Sequence, residues 1–372
     1  MVAFGVVPAA VTYGPHVRLS FHPLRSTLAW ALLLHVAGLL SLHRVLATAE
    51  ENLRVGNVVS SWFVFPAVLA IAHVSCYLLV VTIWAEAHRY KELAALAAKL
   101  ERLMADMGMP EAGAWPKRST SRMVWAMVVF MLAFGPLTTA LWQFWASGQQ
   151  GEVYRILAHC MANVMMTSVV GGFCLVQFII RDAANVLTQR FARDVLRGLS
   201  PSEMACYHNA WLALRDLLEG AVVMPASLSF CTLLLVLNNL LCLYNVVNRI
   251  LSGSPWGRTL ILLVLVPHVF LMVLSMCLAA DAAVSAIGKF KLPLVKLDPT
   301  NARNTYVREV FREVLSYSPG SVSVAGFWYV NRRAATSVLC ATITYLIVLI
   351  ELRAEPHSTV ACNRTISFDC VE

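Results

Sequence analysis

The chain has 372 residues, of which 59% are hydrophobic and only 13% are charged, and its mean hydropathy is +0.67. No single soluble core could hide this much apolar surface, so the composition excludes an ordinary soluble protein and indicates a membrane protein. The net charge of +8 fits basic loops that face an anionic leaflet and does not indicate a nucleic-acid surface.

Apolar runs of membrane-spanning length recur along the chain. A hydrocarbon core of about 30 Å needs roughly 20 apolar residues of helix. Seven segments meet this length, so we predict an all-α integral membrane protein that forms a single domain over 1–372. The predicted spans are 27–47, 58–84, 123–146, 154–180, 217–247, 259–285 and 334–352.

No cleavable signal sequence is expected before the first span. Residues Met1 to Ala10 contain no basic residue and lead into a polar stretch. Internal repeats are not visible either, which argues against a transporter built from duplicated halves.

The distribution of Lys and Arg predicts the orientation. If the N-terminus is cytosolic, 22 of the 29 basic residues fall on the cytosolic side, which is the positive-inside pattern. Seven spans then place the C-terminus outside. This orientation is inverted relative to a G-protein-coupled receptor, whose characteristic triplet after span three and Asn-Pro-x-x-Tyr in span seven are also missing.

Several helices are expected to continue beyond the membrane. The stretch Ser200 to Glu203 has a capping-box pattern, and a helix from there to about Asn248 would be roughly 70 Å long. Span four continues to Leu196 without Pro or Gly. Between spans six and seven, an apolar stripe comprises Tyr306, Val307, Val310, Phe311, Val314 and Leu315. These features predict a cytosolic helical bundle, the alternative being a helix that lies on the membrane surface.

Aromatic, amide and imidazole side chains collect in the outer halves of spans two to six. Such a set suits a pocket for a small organic ligand. The alternative is the belt of Trp and Tyr found at most membrane interfaces. The candidate pocket residues are Trp62, Phe63, Trp142, Gln143, Tyr154, His159, Asn239, Tyr244, Asn245 and His268.

The last span carries a carboxylate, Glu351, in a segment that otherwise excludes charge. An ionisable group in a membrane helix is costly and tends to face water or a partner. Two interpretations stay open: Glu351 faces a water-filled path, or it marks the outer end of the helix beside Arg353.

The C-terminal tail resembles an extracellular segment. Asn363 begins a glycosylation triplet, and Cys362 and Cys370 flank it, so an oxidising compartment would let them form a disulfide. The other eight cysteines show no metal-binding spacing. Neither a metal site nor a cofactor is expected, and no phosphate loop or paired carboxylates indicate an enzyme.

The end of the chain resembles the signature of insect gustatory receptors. The matching residues run from Gly326 to Asn331, then Ala334 to Ala341, then Thr344-Tyr345, five apolar residues and Glu351-Leu352. The family pattern is Thr-Tyr, five apolar residues, Gln-Phe, so this chain departs from it at Glu351 and Leu352. Odorant receptors have a similar last span.

The resemblance implies a ligand-gated cation channel of four subunits. It implies a pore helix at 334–352, an extracellular tail at 353–372 and a cytosolic anchor from 85–121, 181–216 and 286–332. The pore and gate residues would be Thr344, Tyr345, Val348, Leu349, Glu351 and Leu352. In a tetramer, Glu351 would form a ring of four carboxylates, with Val348 and Leu349 as an apolar constriction.

The expected function is therefore taste perception of small organic compounds, bitter or other and less so sugars, in the plasma membrane of a sensory dendrite. Its partners would be a tastant, membrane lipid and other gustatory receptor subunits in a homo- or heterotetramer. A gustatory-like receptor without a taste role, a G-protein-coupled receptor and a transporter are the alternatives.

Overall fold

The computed structural model describes the chain in several segments. These are 10–12, 18–20, 89–109, 153–220, 225–251, 256–297, 302–317, 320–324 and 328–354, with single helical residues between 36 and 47, between 78 and 86, and at 125 and 129. Most of the first three predicted spans lies outside the described residues.

The described chain is helical apart from two small hairpins. The helices are α1 (Arg89–Asp106), α2 (Val153–Arg197), α3 (Pro201–Glu219), α4 (Pro225–Leu251), α5 (Trp256–Gly288), α6 (Leu292–Val295), α7 (Ala302–Val310), α8 (Arg312–Ser316) and α9 (Arg332–Ala354), with a 3₁₀ turn at Lys289–Lys291. The antiparallel strand pairs are β1 (Ala10–Thr12) with β2 (Arg18–Ser20), and β3 (Val322–Val324) with β4 (Trp328–Val330).

Helix α2 is longer than a bilayer is thick. It has 45 residues, about 68 Å, which is twice the thickness of a hydrocarbon core. The prediction that span four continues to Leu196 is confirmed. Among the described residues, three helical segments are long and apolar enough to cross a bilayer: Met165–Arg197, Pro225–Tyr244 and Val266–Val295.

The predicted continuous helix from Ser200 to Asn248 is wrong. The capping box itself is present, because the Ser200 hydroxyl accepts from the Glu203 backbone and the Glu203 carboxylate accepts from the Ser200 backbone. Helix α3 nevertheless ends at Glu219, and α4 begins with Pro225. Gly220 lies where a Cβ would come within 3.3 Å of Leu96 on α1, so the close approach of α1 favours glycine at the helix end.

Helices α2 and α5 run side by side in parallel, and α4 runs antiparallel to them. The Cys174 thiol faces the Ser275 hydroxyl at 3.9 Å, and farther along the same pair the rings of Phe191 and Phe290 stack at 4.6 Å. The Cys231 thiol of α4 lies 3.8 Å from the Met166 carbonyl oxygen of α2. These contacts fix the register of the three helices.

Buried rings form an aromatic cluster at the far end of this bundle. Phe191 contacts Tyr207, Phe290 and Phe311 with centroid distances of 5.1, 4.6 and 5.1 Å. All four rings are buried. The cluster joins α2, α3, the 3₁₀ turn and the start of α8, so the helix ends form one packed unit.

A partly exposed ion pair supports the aromatic cluster. The Tyr207 hydroxyl donates to Asp194 at 2.6 Å, and the Arg190 guanidinium donates to the same oxygen at 3.0 Å. Burial and the adjacent carboxylate raise the pKa of Tyr207 above its usual value, so the phenol remains a donor. At the edge of the unit, Arg215 of α3 pairs with Glu313 of α8.

The predicted amphipathic helix before the last span is present as two pieces. Val307, Phe311 and Val314 are buried as the stripe predicts, but Phe311 leaves helical geometry between α7 and α8. Tyr306 is exposed, so its place in the stripe was wrong. It lies one position from Val307 along the helix and faces away from the cluster.

Candidate functional site: the exposed face of the last helix

Hairpin β3–β4 comes immediately before α9 in the chain. Its alternating apolar residues bury Val322, Val324 and Val330 in the core. The Trp328 indole N–H donates to the Ser229 hydroxyl of α4 at 3.3 Å. The beginning of α9 is thereby attached to α4.

Two side chains satisfy the first backbone N–H groups of α9. Asn331 caps the helix, because its side-chain oxygen accepts from the Ala334 N–H at 2.8 Å. Asp281 of α5 accepts from the Arg332 backbone N–H at 3.2 Å and pairs with the Arg332 guanidinium at 3.2 Å. A carboxylate at a helix N-terminus also interacts favourably with the helix dipole.

Helix α9 packs on its neighbours through one narrow stripe. The stripe follows helical spacing and consists of Ala335, Val338, Thr342, Leu346 and Ile350, which are buried or half-buried. The stripe faces α4 and α5, the two long helices that contact α9. Most of the remaining described side chains on α9 are exposed, so the other described helices leave the greater part of its surface uncovered.

The face opposite the packing stripe is largely polar. Its exposed residues, again three or four apart, are Arg333, Ser337, Cys340, Thr344, Val348 and Glu351. A helix that only faced lipid would expose apolar side chains along this line. A polar line flanked by apolar residues instead suits a helix that borders a water-filled path.

Three of the predicted pore and gate residues, Thr344, Val348 and Glu351, lie on this polar face. Thr344 is exposed, and its hydroxyl donates to the Cys340 carbonyl oxygen at 3.0 Å, so it bonds within its own helix rather than between helices. Tyr345 and Val348 are exposed by 61% and 42%. Glu351 is exposed near the helix end. Leu349 and Leu352 belong to α9, but their side chains lie outside the described set.

Sequence reasoning missed Arg333, Ser337 and Cys340. Counting back from Glu351 in steps of three and four residues would have found them. Arg333 places a positive charge at the opposite end of the line, about 27 Å from Glu351 at 1.5 Å per residue. Whether a water-filled path along this face favours cations or anions therefore depends on whether the path is narrower at Glu351 or at Arg333.

The predicted ligand-pocket residues are only partly visible. Trp62, Phe63, Trp142 and Gln143 lie outside the described residues. Tyr154 and His159 belong to α2 and Asn245 to α4, without described side chains. Asn239 and His268 are buried, and Tyr244 is half-buried.

The register separates two of these candidates along the bundle. Cys231 lies level with Met166, and the α2–α5 offset places His268 level with Thr167. Asn239 is eight residues beyond Cys231, so it lies about 12 Å farther along the axis than His268. Asn239 and the backbone of His159 therefore lie at the same height along the bundle axis. His268 lies at a different height, closer to the aromatic cluster.

The tail residues Asn363, Cys362 and Cys370 lie outside the described part of the chain, so the glycan and the disulfide stay predictions. Among the residues that the structure describes, no group of three or more His, Cys, Asp or Glu side chains could hold a metal ion.

A bundle of membrane-length helices, with a last helix that exposes a polar face, defines a multi-span helical membrane protein. The family model described as 7tm Chemosensory receptor matches residues 1–352. The chain belongs to this chemosensory receptor family, as the end of the sequence predicted.

Individual relatives are distant. Gustatory and odorant receptor 22 of Anopheles gambiae is 22% identical over 218 residues, which is 56% of this chain and 46% of that protein. The match therefore spans less than half the length of that curated relative.

Solved structures share the fold across nearly the whole chain. The insect olfactory receptor OR5 from Machilis hrabei superimposes with a TM-score of 0.63 at 12% identity, covering 94% of this chain and 95% of that chain. The same receptor in complex with eugenol has a TM-score of 0.55 at 12% identity, with the same coverage. The predicted all-α integral membrane fold is confirmed, and the chain is by family a chemosensory receptor rather than an enzyme.

Proposed function

We propose that the chain is a subunit of a tastant-gated, non-selective cation channel. The observation that carries this proposal is the polar face of α9, which is opposite the stripe that packs on α4 and α5. A membrane helix keeps such a face only where water or a partner meets it. Repeating the chain around a central axis supplies both.

Four subunits, identical or mixed with other gustatory receptor chains, would each contribute α9 to the pore. The apolar flanks of α9 would then contact lipid or the neighbouring subunit. The aromatic cluster and its surrounding helix ends would be the cytosolic anchor over 85–121, 181–216 and 286–332. Helix α9, at 23 residues or about 35 Å, is long enough to cross the hydrocarbon core.

The order of residues along α9 supports a division of roles. Glu351 near the outer mouth would attract cations. Val348, about one turn deeper, would narrow the path with an apolar ring that closes by dewetting. Thr344, Cys340 and Ser337 would line the polar part below this constriction.

A small organic compound is the ligand class that we propose. The Asn239 side chain is buried, and its amide oxygen has no hydrogen-bond partner among the described residues, so it is available to a ligand or to water. The olfactory receptor OR5, which shares this fold, was solved in complex with eugenol, a small phenol. We infer a bitter or other small organic tastant rather than a sugar, detected in the plasma membrane of a sensory dendrite.

Whole-cell recording from cells that express the chain, alone and with other gustatory subunits, tests this proposal. The panel would contain small phenols, including eugenol, together with bitter compounds and sugars. An inward cation current evoked by an organic compound is expected. Surface-expressed protein that carries no current with any partner, or a signal that depends on G proteins, would contradict a channel function.

A further inference from the structure

The beginning of α9 is attached to α5 by a contact that helix formation does not require. Asn331 already caps α9 from its own chain segment. Asp281, 51 residues earlier in the sequence, adds a second carboxylate contact to the Arg332 backbone and side chain. The Asp281 contact therefore contributes to where the helix sits rather than to whether it forms.

Neighbouring contacts make this end the best-held part of α9. Cys277, one turn before Asp281, lies against the backbone of Asn331 and Ala335, and Ala335 is buried. Trp328 fixes the preceding strand to Ser229. Toward the other end, α9 is held by its single stripe of side chains.

Thr residues provide sites along α9 where the helix can bend. Thr336, Thr342 and Thr344 each donate a hydroxyl hydrogen bond to a carbonyl four residues earlier in the same helix. Such back-bonding competes with the helical ladder and tends to bend a helix. The start of α9 is thus held by polar contacts, and the rest of the helix can bend relative to it.

We infer that Asp281 is the positioning residue of the pore helix. Its contact with Arg332 is the pivot that holds the beginning of α9 on α5 while the outer part moves. This inference rests on the proposed channel function, because it concerns how the pore helix is set. A closed constriction needs every subunit's helix in one position, whereas a leak needs only one helix to deviate, so a loosened pivot raises the basal current.

Amide hydrogen exchange of the full-length protein in lipid nanodiscs tests the pivot without using channel activity. In Asp281→Ala, the first turn of α9 should exchange at least tenfold faster, while the aromatic cluster exchanges at the wild-type rate. Arg332→Gln, which keeps the backbone contact, should give a smaller increase. Unchanged exchange at the start of α9 in Asp281→Ala overturns the inference.

A matched control separates the pivot from a generic surface ion pair. Arg312 pairs with Glu309 three residues away, and its side chain is 76% exposed, compared with 75% for Arg332. Arg312→Gln should leave exchange at α9 unchanged. If it accelerates exchange there as much as Arg332→Gln does, the effect is not specific to the pivot and the inference fails.

Basal current without any added ligand, normalised to surface biotinylation, completes the test. Asp281→Ala should raise this current at least threefold. Asp281→Asn, which keeps a carbonyl acceptor, should have a basal current much closer to that of the wild type. Wild-type current in surface-expressed Asp281→Ala overturns the positioning role. A current that is absent from every variant and never evoked in wild type overturns the proposed channel while the exchange result stands.

Discussion

Glu351 is the residue at which the two interpretations of the last helix differ most. If Glu351 forms part of a ring around a pore, its charge raises the local cation concentration at the outer mouth. If Glu351 lies at a solvated helix end, its charge has little effect on ion preference. Unit charges about 4 Å apart in water interact by about 1 kcal/mol, which corresponds to roughly fivefold in an equilibrium constant. This value sets the scale of the expected effect.

We therefore expect Glu351→Gln to lower the preference for divalent over monovalent cations by about fivefold, as estimated from that interaction energy. Reversal potentials under bi-ionic conditions measure the preference. Glu309→Gln is the control, because Glu309 is an exposed glutamate away from α9. An unshifted reversal potential in Glu351→Gln would assign Glu351 to the solvated helix end.

Cys340 offers a chemical test of the polar face. Its thiol is exposed on α9, whereas Cys174, Cys231 and Cys277 are buried. A cationic methanethiosulfonate should react with Cys340 and reduce the evoked current by more than half, because a bulky fixed charge in a narrow path obstructs cations. Cys340→Ser should abolish the sensitivity, and persistent block in that variant would place the reactive thiol elsewhere.

At the scale of elements, the aromatic cluster depends on one hydroxyl. The Tyr207 phenol donates to Asp194, whose other partner is Arg190. Removing the Tyr207 hydroxyl leaves the part-buried Asp194 carboxylate with one hydrogen-bond donor fewer. This lowers the free energy of unfolding by about 1–3 kcal/mol.

We expect Tyr207→Phe to destabilise the protein by that amount, about 1–3 kcal/mol. Thermal unfolding in nanodiscs, followed by the tryptophan fluorescence to which Trp211 of the same helix contributes, measures the loss. Tyr317→Phe is the matched control, since Tyr317 contacts Trp211 edge to face and no hydrogen bond of its hydroxyl contributes to the cluster. Equal losses in the two variants would show that the Tyr207 hydroxyl has no special role.

Elements governed by local signals were predictable from the sequence. The uninterrupted pattern of α2 and the capping box of Ser200 and Glu203 are examples, because spacing and cap chemistry decide them within a few residues. The end of α3 at Gly220 was not predicted, and the close approach of Leu96 at that point involves another helix, which local spacing does not reveal. The Asp281–Arg332 contact likewise joins residues 51 positions apart and exists only in the folded chain.

The candidate site likewise contains some residues that the sequence identifies and others that only the tertiary structure identifies. Glu351 and Thr344 are evident as polar residues in an apolar run, so the sequence identifies them directly. Which face of α9 is buried depends on the packing of Ala335 and Thr342 against α4 and α5, which only tertiary structure reveals. Arg333, Ser337 and Cys340 became candidates only after that face was known.

At the scale of the whole molecule, orientation decides which end of α9 is the outer mouth. The 22 basic residues assigned to one side predict that the aromatic cluster is cytosolic and that Glu351 and the tail are extracellular. An inverted chain would place Arg333 at the outer mouth instead, and the direction of charge along the pore would reverse.

An epitope at the C-terminus should therefore be stained in unpermeabilised cells, and an N-terminal epitope only after permeabilisation. A glycan at Asn363 would add a second readout, because enzymatic removal should increase gel mobility in wild type and have no effect in Asn363→Gln. The two epitopes control for each other within one cell. Staining of only the N-terminal epitope in intact cells would reverse the topology and, with it, the assignment of Glu351 to the cation-attracting outer ring.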